Sequence, residues 1–204
     1  MSTGYGISEL RDGMNELGIE LSNEMMDKFS LYHNELLGWN KRMNLVSRND
    51  EPKIVNRHFL DSLDIIEFIP HNASMLDIGS GAGFPGIPIK IVRPDIKIDL
   101  LEPKLKRFNF LTHLTDTLGI EVGLYKCRAE EFSGNYDIVL SRSVGKLSWL
   151  TKVSAPLLAD DSELITYKGS RLRLELNEII GWDIVDIKPR KFCAGNIVVL
   201  KKAI

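Results

Sequence analysis

From residue 73 onward, short runs rich in apolar and β-branched residues alternate with stretches of helical spacing. SMLDIG, IKIDLLE, IEVGLY, YDIVLS and SELITYK read as strands, and 85–92, 104–118, 147–158 and 170–180 read as the helices between them. Strand–helix–strand units set successive strands parallel and leave helices on both faces of one sheet. Two further runs, WDIVDIKP and NIVVLKK, joined by PRKFCAG, predict an antiparallel pair at one end. The expected fold is therefore α/β: a Rossmann-like, mostly parallel, seven-stranded sheet with an antiparallel C-terminal strand. In such a sheet, ligands bind beyond the carboxyl ends of the strands. That crevice would gather Asp77–Gly86, Glu102, Cys127–Glu131, Ser141–Ser143 and Tyr167–Gly169.

The first 70 residues read differently. Residues 7 to about 69 are expected to be mainly helical. Ser22 is a candidate N-cap for a helix whose Met25, Met26, Phe29, Tyr32, Leu36, Leu37 and Trp39 recur at helical spacing, a burial signal first of all. Asn44–Asp50 reads as a loop, and Glu51-Pro52 suits the first turn of a helix reaching about Phe68. The predicted organisation is a helical extension over 1–70 and a Rossmann-like domain over 71–204. With 44% hydrophobic residues over 204 positions, a sound core is within reach. No apolar run attains the roughly 18–20 residues of a membrane span. The opening MSTGYGISEL lacks the pattern of a secretory signal, so a cytoplasmic location is expected. Cys127 and Cys193 form no CxxC pair, so neither a zinc site nor a disulfide framework is predicted. The net charge of -2 argues against a generally basic nucleic-acid binder but permits a local basic patch.

MLDIGSGAGFPGIP, residues 75–88, runs from a strand into alternate glycines. Gly81, Gly83 and Gly86 fit GxGxxG, which taken alone is a weak dinucleotide pattern. A better frame is Asp77-x-Gly79-x-Gly81-x-Gly83, with Ser80 inside it. A carboxylate just before the glycines repels a pyrophosphate and suits a cation. Glu102, ending the next strand, supplies acceptors for ribose hydroxyls. Ala129-Glu130-Glu131-Phe132 offers an apolar surface and a polar edge for a base, and the helix start after Phe84-Pro85 could favour a carboxylate. An amino group, a ribose and an adenine together describe S-adenosylmethionine. A bare strand-to-helix turn and a dinucleotide site are the alternatives.

The fourth strand narrows the reaction. No Pro-Cys follows it, so a cysteine nucleophile for cytosine C5 is missing. It ends SRSV, not in an Asp/Asn-Pro-Pro-aromatic motif, and without the acid of a Lys-Asp-Lys-Glu set. Arg142 stands there instead. It stays protonated and cannot act as a base, but it can pair with a carboxylate, a phosphate or the O6/N7 edge of guanine. An acceptor needing no strong base fits, and guanine N7 is one. Arg142 is accordingly the candidate catalytic residue, acting by positioning. An ion pair to Glu102 or Glu130 is the plainer alternative.

The ordered motifs also carry a resemblance over nearly the whole chain. LLGWNKRMNLVS, NRHFLDSL, DIGSGAGFPGIPIKIVRPD, KRFNFL, RAEEF, SRSV and YKG resemble, in order, the characteristic segments of the RsmG (GidB) family. These are bacterial methyltransferases acting on N7 of a guanine in 16S ribosomal RNA. The resemblance implies a class I methyltransferase fold with an N-terminal helical extension, and S-adenosylmethionine as cofactor. It also implies cofactor contacts at Gly79, Phe84, Ala129, Glu130 and Arg142; the chemistry above adds Asp77, Ser80, Gly81, Gly83 and Glu102. The chain departs from the family at Ser143-Val144-Gly145, where Ala-Phe/Val-Ala is common, and at Glu102, where Asp is frequent.

The implied partner is 16S rRNA or an assembling small subunit, met by a monomer without metal or membrane. Lys41, Arg42, Arg48, Lys53 and Lys104 supply positive charge. Arg57, His58, Lys106, Arg107 and Lys168 are the candidate RNA-binding residues, with solvated surface charge as the plain alternative. His58, beside Phe59 and Leu60, reads more readily as a hydrogen-bonded structural residue than as a catalyst, with Asp61 as its partner or, equally, as a helix-surface acid. Three other functions compete: a small-molecule methyltransferase of the same fold, a non-catalytic RNA-binding assembly factor, and a nicotinamide-dependent oxidoreductase.

Overall fold

A computed structural model describes residues 5–203. The expectation of no secretory signal concerns a start of which residues 1–4 lie outside the described residues. Seven strands form one sheet: β1 (Ser74–Ile78), β2 (Lys97–Leu101), β3 (Gly123–Tyr125), β4 (Tyr136–Arg142), β5 (Leu158–Lys168), β6 (Trp182–Pro189) and β7 (Asn196–Lys202). Their order is β3-β2-β1-β4-β5-β7-β6. Strands β1 to β5 pair in parallel, while β7 runs antiparallel to both β5 and β6. The predicted sheet is present, with the switch in strand order at β1.

Alternation along the strands divides the core. Met75, Ile98, Leu100, Ile138, Leu140, Ile165, Ile197 and Val199 belong to one buried cluster. Their neighbours Leu76, Ile78, Val139, Leu164, Val198 and Leu200 belong to the other. Helices α4 (Gly86–Val92) and α5 (Leu105–Leu118) cover the first face, and α6 (Leu147–Ser154) and α7 (Leu172–Leu176) the second. Sheets buried on both sides in this way are what parallel strands require.

Helix α1 (Tyr5–Glu16) and helix α2 (Asn23–Met43) form a further layer on the α4/α5 side. Their Leu10, Met14, Phe29, Tyr32 and Leu36 lie in the same buried cluster as Met75 and Ile87, so the helical extension shares its core with the sheet. Ser22 caps α2 as expected, its hydroxyl accepting from the Met25 N–H at 3.1 Å.

The continuous helix expected from Glu51 to Phe68 is not formed. A 3-10 turn (Glu51–Lys53), a π-helical stretch (Val55–Leu60), a short α3 (Asp61–Leu63) and another 3-10 turn (Ile66–Phe68) replace it. The change of helix type goes with packing against the sheet, where two of its carbonyls accept side-chain donors. Arg142 Nη1 donates to the Arg57 carbonyl at 3.2 Å, and the Tyr167 hydroxyl donates to that of Ser62 at 2.9 Å. Side chains from the ends of β4 and β5 thus pull the segment against the sheet, where Asp61, Ser62 and Asp64 are buried. The other boundaries move modestly: β5 begins at Leu158, α6 ends at Ser154, and α7 is shorter than predicted.

Candidate functional site

Backbone bonds fix both ends of the loop after β1. Gly79 and Ser80 N–H both donate to the Leu101 carbonyl, at 2.9 and 3.0 Å, and Gly83 and Phe84 N–H both donate to the Ser80 carbonyl. Gly79 has φ +74, and a Cβ there would meet Val144 Cγ2 at 2.6 Å. Gly83 has φ +97, and a Cβ there would meet the Tyr32 hydroxyl and Ile87 Cγ1, each at 2.7 Å. Only glycine fits either position without strain.

Two acids hold this loop. Glu102 is buried; its Oε2 accepts from the Gly81 N–H at 3.0 Å and its Oε1 from the Lys104 N–H at 2.8 Å. Both oxygens keep further lone pairs for ligand hydroxyls. Asp77 is fully buried, and its Oδ2 accepts from the Gly86 N–H at 3.1 Å. Asp77 Oδ1 has no hydrogen-bond partner among the described residues. Burial pushes this carboxyl up to about 7, against the opposing bond from Gly86. A cationic group brought to Oδ1 would stabilise the ionised form. The expected carboxylate site at the start of α4 is corrected by the same contact, because the first N–H of this short helix is already given to Asp77.

After β3, Ala129 is buried in a 3-10 turn (Ala129–Glu131) and Glu130 is exposed. Trp149 Nε1 donates to Glu130 Oε1 at 2.9 Å. Glu130 is held below the usual carboxylate range by its own backbone N–H and by Trp149.

Arg142 is ion-paired, but to neither acid that the sequence offered. Its Nη1 reaches Asp61 Oδ2 at 2.9 Å, and its Nη2 lies 3.2 Å from His58 Nδ1. Asp61 is therefore no helix-surface acid and not the direct partner of His58. Arg190, from the β6–β7 connector, also grips Asp61, through Nε at 2.8 Å and Nη2 at 2.5 Å. Because a guanidinium only donates, His58 Nδ1 accepts and Nε2 carries the proton. Burial first, and the Arg142 charge second, lower the His58 pKa to about 4, so the ring stays neutral. Phe84 joins the two halves: the His58 ring stacks on it at 4.9 Å, and the Arg142 guanidinium lies 4.9 Å from its centroid.

Beside this cluster opens a cavity of about 240 Å³, lined among others by Asp50, Arg57, His58, Arg142, Arg190 and Cys193. Arg57 is half-exposed and pairs with Asp50. Lys106 is exposed, and Arg107 Nη1 comes within 3.8 Å of where a Gly81 Cβ would stand, on the glycine-loop side of the crevice. Lys168 does not join a basic rim. It is buried, with Nζ bonded to the Gly145 carbonyl at 3.1 Å and to Glu175 at 2.9 Å, so its charge is neutralised inside the protein. Sequence reasoning missed Arg190, Asp50, Trp149 and the bridging use of Asp61. The only hint was the two basic residues in PRKFCAG.

The glycine loop between two acids, at the switch point of this strand order, leads to comparison with known proteins. The family model described as rRNA small subunit methyltransferase G matches residues 25–181. The chain belongs to that family. Ribosomal RNA small subunit methyltransferase G from Staphylococcus epidermidis is 39% identical over 84% of this chain and 75% of the relative. The Acetivibrio thermocellus protein of the same name is 35% identical over 95% of this chain and 87% of its own length. Among solved structures, an MtNAS mutant in complex with S-adenosylmethionine superposes with a TM-score of 0.63 at 13% identity, over 97% of this chain and 78% of that one. A ribosomal protein L11 methylase from Lactobacillus delbrueckii subsp. bulgaricus gives 0.59 at 16% identity, over 71% and 78%. These two share the fold of this rRNA small subunit methyltransferase G family member. No helix among the described residues is long and apolar enough to cross a membrane. No group of three or more His, Cys, Asp and Glu among them could hold a metal ion.

Proposed function

We propose that the protein transfers a methyl group from S-adenosylmethionine to N7 of a guanine in 16S rRNA, as naked RNA or within an assembling small subunit. Membership of the rRNA small subunit methyltransferase G family carries this reading, and the unpartnered Asp77 Oδ1 supports the cofactor. A buried carboxylate oxygen without a donor fits the α-ammonium. Glu102 keeps acceptor capacity for ribose hydroxyls. Gly79, Ser80, Gly81 and Gly83 let the backbone approach closely, Ala129 and Glu130 form the base side, and Phe84 forms the floor toward the acceptor.

When bound, S-adenosylmethionine supplies an electrophilic methyl group, so that the N7–carbon bond forms as the carbon–sulfur bond breaks. N7 carries no proton, and the residues need not remove one. Arg142 acts by position: Asp61, His58 and the Arg57 carbonyl fix its guanidinium over Phe84. His58 remains neutral and helps to fix Arg142 rather than acting as a base. Water exclusion and alignment supply the catalysis. Arg57, Lys106 and Arg107 face the RNA. We place the protein in the cytoplasm as a monomer.

The test is tritiated S-adenosylmethionine with unmethylated 16S RNA or small subunits, followed by nucleoside analysis and an Asp77→Ala control. Label in N7-methylguanosine, lost in the control, is expected. Label in another nucleoside would sink the guanine-N7 assignment.

A further inference from the structure

The cavity beside Phe84 is electrically unbalanced. Among the described residues around it, three guanidiniums meet two carboxylates: Arg57 with Asp50, and Arg142 and Arg190 together on Asp61. The other groups do not restore balance. His58 is neutral, and burial pushes the Cys193 thiol up, keeping it protonated. Asp64, behind Asp61, accepts from the Lys191 N–H and shares Lys188 with Glu67, away from the cavity lining. Arg142 and Arg190 therefore share one carboxylate, at side chains only 8% (Arg142) and 15% (Arg190) exposed. Little-exposed cations that share a counterion attract a further anion.

Donor geometry points the same way. Arg190 carries five N–H groups. Nε and Nη2 serve Asp61, and Nη1 serves the Ala194 carbonyl at 3.2 Å. Nη1 and Nη2 each retain one N–H. Arg57 uses Nη1 on Asp50 and lies at the open side. The cavity is many times the roughly 30 Å³ share of one water molecule, so a tetrahedral oxyanion has room.

We propose that this cavity binds a phosphate of the substrate RNA, with Arg190 and Arg57 as its anion ligands. The assignment rests on the RNA-methyltransferase reading and gives it a named contact outside the cofactor crevice. His58 and Arg142 both line the cavity and both pack on Phe84, so the bound phosphate belongs to the acceptor nucleotide or its immediate neighbour.

Arg190→Ala is a clean probe, because Asp61 keeps Arg142 and no buried carboxylate is orphaned. RNA affinity of the full-length protein is measured over a salt series, together with S-adenosylmethionine affinity, Tm and competition by inorganic phosphate. The expected result is an RNA affinity lower by about tenfold and a salt slope shallower by roughly 0.7–0.9, one phosphate contact. Cofactor affinity stays as in the wild type, and phosphate ceases to compete with RNA. Arg190→Lys should restore the slope, since it keeps the charge, and Arg57→Ala should flatten it independently. An unchanged slope in both alanine variants overturns the proposal, as does equal loss of RNA and cofactor binding with a fallen Tm. Phosphate that binds the wild type without competing with RNA assigns the cavity to free phosphate and also overturns it. Wild-type protein that binds no RNA refutes the parent reading, before any variant is compared.

Discussion

The hydroxyl of Tyr32 donates to the carbonyl of Ala82 across 2.6 Å, tying the second helix of the chain to the centre of the glycine loop. Ala82 lies between Gly81 and Gly83, both at positive φ, and its carbonyl points away from the loop's own bonds, to the Tyr32 hydroxyl. The Tyr32 ring also stacks on Phe84 at 5.4 Å. Tyr32→Phe keeps the stacking and removes the bond. It should cost about 1–3 kcal/mol of stability for a buried carbonyl left unsatisfied. A looser loop should also weaken S-adenosylmethionine binding roughly tenfold, while RNA affinity holds. Calorimetric titration beside thermal unfolding checks this, with Phe29→Leu as a control in the same cluster. Lost Tm with unchanged cofactor affinity would make Tyr32 merely structural.

The sheet was legible in the sequence because period-two strands, helical spacers and glycine punctuation are local signals. Ser22 as a cap and Asp77, Gly79 and Glu102 at strand ends were legible for the same reason. The segment 51–68 was not. Its helical pattern is real, but it packs on Arg142 and Tyr167, more than eighty residues away, which donate to its carbonyls. The site's ion pairs were equally hidden. Asp61 finds Arg142 and Arg190 at separations of 81 and 129 residues, and no spacing rule encodes that. Lys168 sits at a strand end where a phosphate contact is natural, and only the fold places Glu175 against it.

Asp77 gives a pH signature. Its folded pKa, about 7, lies well above that of an ordinary aspartate, mainly through burial. The carboxyl's contribution to stability is therefore present below pH about 4 and is lost as pH rises through about 7. Asp77→Asn should remove that dependence, so the Tm advantage of wild type over the variant shrinks across this window. A cationic ligand selects the ionised carboxylate. Cofactor affinity should rise with pH up to about 7 and then level, with release of up to one proton on binding near pH 6. Calorimetry in buffers of different ionisation enthalpy counts that proton. Equal release by wild type and Asp77→Asn would remove Asp77 from the role.

Lys168→Met separates a structural charge from an RNA contact. The change leaves Glu175, 19% exposed, with only the Leu147 N–H at 2.7 Å. The loss should be about 2–3 kcal/mol, short of that for a fully buried pair because Glu175 still reaches water. The RNA salt slope should stay at the wild-type value. Urea unfolding and the salt series together check this. A flattened slope at unchanged stability would return Lys168 to the RNA surface.

Gly79 tests the cradle itself. Alanine there meets two separable penalties: φ +74, worth about 1–2 kcal/mol for a residue with a Cβ, and the contact with Val144 Cγ2 at 2.6 Å. Gly79→Ala should therefore reduce S-adenosylmethionine affinity by more than tenfold, as the loop shifts to escape both. Adding Val144→Ala removes the obstructing methyl groups and leaves the φ penalty. The double variant should recover part of the affinity but not all of it, and Val144→Ala alone should bind nearly as wild type does. Full recovery would mean that the left-handed backbone is unimportant for the ligand. No recovery would mean that Val144 does not limit the approach at Gly79, and that the left-handed backbone carries the whole effect.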